Sequence, residues 1–278
     1  MAEILVLANE TIGGEALLDA VRARHGQGDA RFFVVVPQSR PRHGNVIYDD
    51  VVRDSAQVRV DLALAFMREE GIEGAGEVGD GDPYNAAMDA IGHRRISEVI
   101  VSTLPTQASA WMQRDLIEKL QDESALPVQH VVVDLERDGL PFDVTLVMAN
   151  QTVAGRELID HLKELAERGP HRFIIVVPQD HTEGHAVREA RERLRTLLAS
   201  LEEAGIVAAG MIGDPDPYTA AMNAALYFHI SEIVVSTLPA GSSQWMADKL
   251  VERIEGATNK PVEHIESSPS SQPAGAEA

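Results

Sequence analysis

The sequence contains no cysteine, which excludes disulfides, thiolate nucleophiles and zinc–thiolate centres. Positive charge is also scarce. Against 44 acidic residues there are 24 basic ones, a formal net charge of −20, and no local basic run offsets it. Such a chain repels phosphate backbones and anionic membrane surfaces, so neither nucleic acid nor a membrane is an expected partner. No apolar run approaches the ~20 residues of a membrane span. The opening MAEILVLANE lacks the basic region and cleavage site of a signal peptide, and a cytoplasmic protein is expected. G-x-S-x-G and G-x4-G-K-[ST] are absent as well, and no nucleophile–base pair can be read from spacing. The expectation is a protein that is not an enzyme. What is present is a core: 44% of the 278 residues are hydrophobic, ample for one large or two ordinary domains. The last stretch, 267–278, is too poor in large apolar residues to repay its ordering entropy and is expected to be disordered.

An internal duplication organises the rest. Residues 79–112 align with 213–246 at a constant offset of 134, with 20 of 34 positions identical. "ISEVIVSTLP" returns as "ISEIVVSTLP", and "GDGDPYNAAMDA" as "GDPDPYTAAMNA". Earlier in the chain the offset is 141, pairing Asn9 with Asn150 and the VVVPQ ending at Gln38 with the IVVPQ ending at Gln179. The first copy therefore carries seven extra residues near SRPRHGNVIYDD, a length difference that belongs in a surface loop. So long a period is a domain rather than a solenoid repeat. Two domains are expected, 1–135 and 142–266.

Each copy alternates short apolar runs with helical periodicity. In copy one the runs 4–8, 32–36, 76–79, 98–102 and 128–133 are rich in Val and Ile without alternation, as parallel strands buried on both faces require. Between them the apolar spacing is helical, as in the stripe Val187, Ala190, Leu194, Leu197, Leu198 and Leu201. Gly71-Ile72 and Gly205-Ile206 read as Schellman stops, and Asp82-Pro83 and Asp216-Pro217 as an N-cap followed by a first-turn proline. The fold class is α/β, two tandem doubly wound five-stranded parallel sheets of Rossmann-like type, strand order 3-2-1-4-5. Ligands on such sheets bind where the strand order reverses, between strands one and four. This places Asn9, Ser102 and Thr103 at one mouth and Asn150, Ser236 and Thr237 at the other.

Over both repeats, in element order and in the segments ending LPVQHVVV and KPVEHI, the chain resembles a tandem universal stress protein, of the adenine-nucleotide alpha-hydrolase-like class. The resemblance implies a base-binding residue after strand one and a backbone contact after strand two, which fall on Asn9 and Asn150 and on Val36 and Val177. It implies ATP or AMP as cofactor, held by a G-x2-G-x9-G-[ST] loop after strand four. Here that loop's glycines fall on Ser102, Pro105 and Asp115, and on Ser236, Pro239 and Lys249. Proline has no N–H and serine adds a side chain, so the glycine-rich cradle is missing from both copies. Helix starts at Ser109 and at Gly241, Ser242 and Ser243 remain able to receive an anion through free N–H groups. The same serines also read as ordinary helix caps. The resemblance further implies that the two domains pair through their last strands as an internal pseudo-dimer, with a homodimer of whole chains left open.

Other motifs have simpler readings. "GAGEVG" matches G-x-G-x-x-G but enters a strand rather than a helix, and copy two lacks it. His181 and His185 lack the helical zinc order and have no counterpart in copy one. Asp80 with Asp82, and Asp214 with Asp216, are close carboxylates that capping explains without a metal. Trp111 and Trp245 fall in the first turn of the fourth helices, more as packing than as pocket walls. Three functions stay in view: a stress or regulatory module binding a nucleotide or small anion, a scaffold with vestigial pockets, and a hydrolase-like enzyme acting on an adenylated or phosphorylated small molecule.

Overall fold

The computed structural model describes residues 2–40, 49–105, 111, 115–150, 152, 155–179, 184–239, 245 and 248–267. These divide into two compact units between Pro141 and Phe142.

Unit 1 runs β1 (Ala2–Leu7), α1 (Glu15–His25), β2 (Ala30–Pro37), α2 (Asp49–Glu69), β3 (Gly74–Gly79), α3 (Pro83–His93), β4 (Ile96–Thr103), α4 (Leu116–Ser124), β5 (Val128–Val132) and the short α5 (Leu135–Asp138). Unit 2 repeats the plan with β6 (Asp143–Met148), α6 (Arg156–Glu167), β7 (His171–Pro178), α7 (Gly184–Glu203), β8 (Ala208–Gly213), α8 (Pro217–Tyr227), β9 (Glu232–Thr237), α9 (Leu250–Thr258) and β10 (Val262–Glu266). The sheets have the orders β3-β2-β1-β4-β5 and β10-β9-β6-β7-β8, the same order in each unit. All pairings are parallel, with Leu5 opposite both Phe33 and Val99 in sheet 1 and Leu146 opposite both Ile174 and Ile233 in sheet 2.

The central strands are buried on both faces, which is why they read as unbroken apolar runs: residues 4–7 and 146–148 are each at most 1% exposed. Helix stops follow the local chemistry. Gly71 and Gly205 hold φ of +68° and +74°, and the next amides, Ile72 and Ile206, reach back to Met67 and Leu201 carbonyls at 2.8 Å, closing Schellman motifs. Asp82 caps α3 by accepting from the amides of Tyr84 and Asn85 at 2.9 and 3.2 Å. Asp216 does the same for α8, accepting from the amide and hydroxyl of Thr219 at 2.9 and 2.7 Å. Asp80 and Asp214 each accept from the amide two residues on, at 2.8 and 2.9 Å. The close carboxylates are thus committed to turns and caps.

G-x-G-x-x-G is β3 itself. A Cβ at Gly79 would lie 2.7 Å from Cβ of Ala86 and 2.8 Å from Val35, and Gly213 repeats this with Ala220 and Val176. These glycines let α3 and α8 close onto the sheet.

The fourth helices differ from expectation. Asp115 and Lys249 have φ of 49° and 50°, left-handed backbone that an α-helix cannot pass through, so α4 and α9 start at Leu116 and Leu250. A single helix opening near Ser109 is therefore interrupted. Trp111 is half-buried in a turn against the cluster containing Leu5, Val101, Leu116 and Leu120.

Candidate functional site

In unit 1 the chain leaves the end of β1 toward β2, while β4 flanks β1 on the other side, so a crevice opens at the carboxyl ends of β1 and β4. Asn9 follows β1 and is 6% exposed. Its Nδ2 donates to Ser39 Oγ at 2.6 Å and to Pro37 O at 3.4 Å, fastening the loop to the end of β2. The Oδ1 of Asn9 is buried and has no hydrogen-bond partner. Across the crevice the Thr11 hydroxyl donates to Ser102 O at 3.3 Å, while the Ser102 hydroxyl is buried and also has no partner. One acceptor and one hydroxyl thus stand desolvated at neighbouring strand ends, at a cost of ~1–3 kcal/mol each.

Unit 2 keeps the frame but partners its serine. Thr152 donates to Ser236 O at 3.3 Å, as Thr11 does to Ser102. Here, however, the Ser236 hydroxyl donates to Thr152 Oγ1 at 2.8 Å, so it is satisfied within the protein. Asn150 is half-buried.

Each mouth also carries a threonine–histidine contact. Thr103 Oγ1 lies 2.9 Å from His130 Nε2, and Thr237 Oγ1 lies 2.8 Å from His264 Nε2. Thr237 gives its proton to Leu238 O at 3.0 Å, so His264 Nε2 must be the donor in that pair. Burial lowers the pKa of His130 from its ordinary value, leaving the ring neutral at pH 7.

Val36 and Val177 lie opposite Val78 and Ile212, one residue before the ends of β2 and β7, with fully buried side chains. Only their backbone could serve a ligand. Ser109, Gly241, Ser242, Ser243 and His181, with the side chain of His185, lie outside the described residues. Among the described residues no group of three or more potential ligands gathers to hold a metal, and no helix is long and apolar enough to cross a membrane.

Helices α1 and α6 open at this end of the sheets on Gly14 and Gly155, with no side-chain cap. A Cβ at Gly14 would fall 2.2 Å from Val133 Cγ1, which explains why a capping serine is not used there. The helix dipole leaves partial positive charge beside the crevice.

Sequence reasoning did not single out Thr11, Thr152, His130 or His264. A signal existed for the first two, because Asn-x-Thr occurs at 9–11 and again at 150–152. Both histidines lie within the repeated strand-five segments, but a contact spanning 27 residues becomes visible only once β4 lies beside β5 and β9 beside β10.

Two solved structures from Archaeoglobus fulgidus resemble the chain. One, from strain DSM 4304, is 16% identical, covers 95% of this chain and 96% of its own, and has a TM-score of 0.35. The other is 20% identical, covers 47% of this chain and 98% of its own, and has a TM-score of 0.33. Both are universal stress proteins. No protein-family model matches the chain, and no curated protein matches it significantly. The assignment of fold rests on strand order and register.

Proposed function

We propose that the chain is a non-enzymatic, tandem universal-stress-type regulatory protein of the cytoplasm, whose unit 1 mouth binds an adenine nucleoside or nucleotide. The observation that supports this reading is the pair of buried, partnerless groups, Asn9 Oδ1 and Ser102 Oγ. An exocyclic amino group donated to Asn9 Oδ1, and a ribose hydroxyl or ring nitrogen paired with Ser102, would remove both desolvation costs at once. Recognition centres on the base and sugar, because the positions of the glycine-rich loop hold Ser102, Pro105 and Asp115 and the chain carries −20. Unit 2, whose serine is internally satisfied, is the weaker site. The duplication supplies within one chain the pair of domains that a homodimer would otherwise supply.

The test is to denature purified protein, search the supernatant for nucleosides and nucleotides by mass spectrometry, and follow thermal stability with adenosine, AMP and ATP. Stabilisation that disappears in Ser102→Ala supports the reading, and silence across the panel sinks it.

The Thr103–His130 contact favours a second reading, a hydrolase-like enzyme in which neutral His130 accepts the hydroxyl proton. Turnover of ATP or AMP lost in His130→Gln would establish it. Against it stands unit 2, where the equivalent histidine nitrogen is a donor.

A further inference from the structure

At the opposite end of sheet 2 from the mouth, α8, β9 and α9 enclose an open cavity of about 420 Å³, within the usual ~300–1,000 Å³ of small-molecule sites. Met222, Leu226, Phe228, Ile230 and Ile233 form its apolar lining, and Thr258 with the exposed His229 and Lys260 supplies its polar groups. Leu226 is 46% exposed, one of two large hydrophobics so exposed among the described residues.

The duplicated unit shows what is particular here. The positions of Leu226, Phe228, Ala257 and Lys260 are held in unit 1 by Gly92, Arg94, Glu123 and Leu126. Each of the last three has a structural task there. Arg94 pairs with buried Glu3 at 2.5 Å and stacks on Phe33 at 3.8 Å. Glu123 accepts from Tyr84 Oη at 2.5 Å, and Leu126 packs against the core. Unit 2 has lost these charged groups and their ties, and the core-filling leucine has become an exposed lysine. Leu226 thus stands exposed at the edge of an apolar cavity that unit 1 does not share by residue type.

The rim's charge selects the occupant. The carboxyl ends of α8 and α9 meet at the cavity, each equivalent to roughly −0.5 charge; the Lys260 ammonium offsets both, and the His229 imidazole adds a polar group beside them. We propose that this cavity binds a small, uncharged amphipathic molecule, its apolar body against Leu226, Phe228 and Ile233 and one hydroxyl or carbonyl facing Thr258 and Lys260. The site is separate from the nucleotide reading and does not depend on it.

The experiment is a calorimetric titration of the full chain with 4-propylphenol, with 4-propylbenzoate and 4-propylbenzylamine as charged analogues of the same shape, repeated on Leu226→Glu. Leu226 is exposed, so the variant's unfolding midpoint should match the parent's, which separates lost binding from lost fold. Expected is saturable binding of the phenol, weaker binding of both charged analogues, and about a tenfold loss for the phenol in Leu226→Glu from the lost apolar wall and the added charge. Absence of saturable phenol binding, equal or tighter binding of either charged analogue, or indifference to Leu226→Glu would each overturn the proposal.

Discussion

Single residues here do work that their neighbours' identities make clear. Glycine at 79 and 213 is a packing choice, since a methyl group at either would meet an alanine Cβ at 2.7 Å. Gly79→Ala and Gly213→Ala should each destabilise by about 1–3 kcal/mol, the usual cost of overpacking, as measured by urea unfolding. His171 offers a pH-dependent case. It is buried, stacks on Phe173 at 4.8 Å and lies 2.6 Å from Thr145 Oγ1. Because Thr145 donates to Glu232 at 2.9 Å, His171 Nε2 carries the proton. Burial lowers its pKa below the ordinary 6.5, although the carboxylates of Glu232 and Asp143 pull upward while Arg168 and Arg172 push it further down. A histidine depressed in the folded state binds fewer protons there than when unfolded, so its contribution is present above pH ~6.5 and is lost as pH falls through the folded value. Urea midpoints at pH 7.5 and 5.5 should therefore fall for the parent and fall less for His171→Gln.

Elements were legible where local chemistry decides. The Val- and Ile-rich runs of the central strands became strands because both their faces are covered, whereas the edge strands β3, β5 and β10 stay partly exposed; Asp82 and Asp216 became caps because a short carboxylate before proline reaches first-turn amides, the second and third for Asp82 and the third for Asp216. Asp82→Ala and Asp216→Ala should each cost about 1 kcal/mol, read from thermal or urea unfolding. The break before the fourth helices could not be read in the same way. Lys249 is not a residue that announces left-handed backbone, and Asp115, of a type that enters it more readily, reads equally well as a cap or turn residue. Lys249, with a Cβ in that conformation, stores roughly 1 kcal/mol of strain, so Lys249→Gly should be neutral to mildly stabilising rather than harmful, as a glycine substitution inside a helix would be. The cross-strand contacts of Thr103 and Thr237 were hidden for a different reason: they depend on strand adjacency, which periodicity does not encode.

For the molecule as a whole, duplication gives two cores with one topology, each complete within its own unit. The repeat offset and strand pattern carried this much. They did not carry the divergence in partnering, which lies in single hydroxyls at the mouths and in the ties that Arg94 makes and Phe228 cannot at the far end. At the mouths, Ser102 is left without a partner while Ser236 bonds Thr152, which is why the proposed ligand is placed in unit 1. The most direct measurement is a calorimetric titration of adenosine and ATP into the full chain and into Ser102→Ala, which removes the unpaired hydroxyl and no internal hydrogen bond. One saturable site is expected, with adenosine and ATP affinities within about threefold because no glycine cradle rewards the phosphates, and a loss of about tenfold in Ser102→Ala as a buried hydrogen bond to the ligand is removed. Undiminished binding in Ser102→Ala, or no binding by the parent chain, would contradict this.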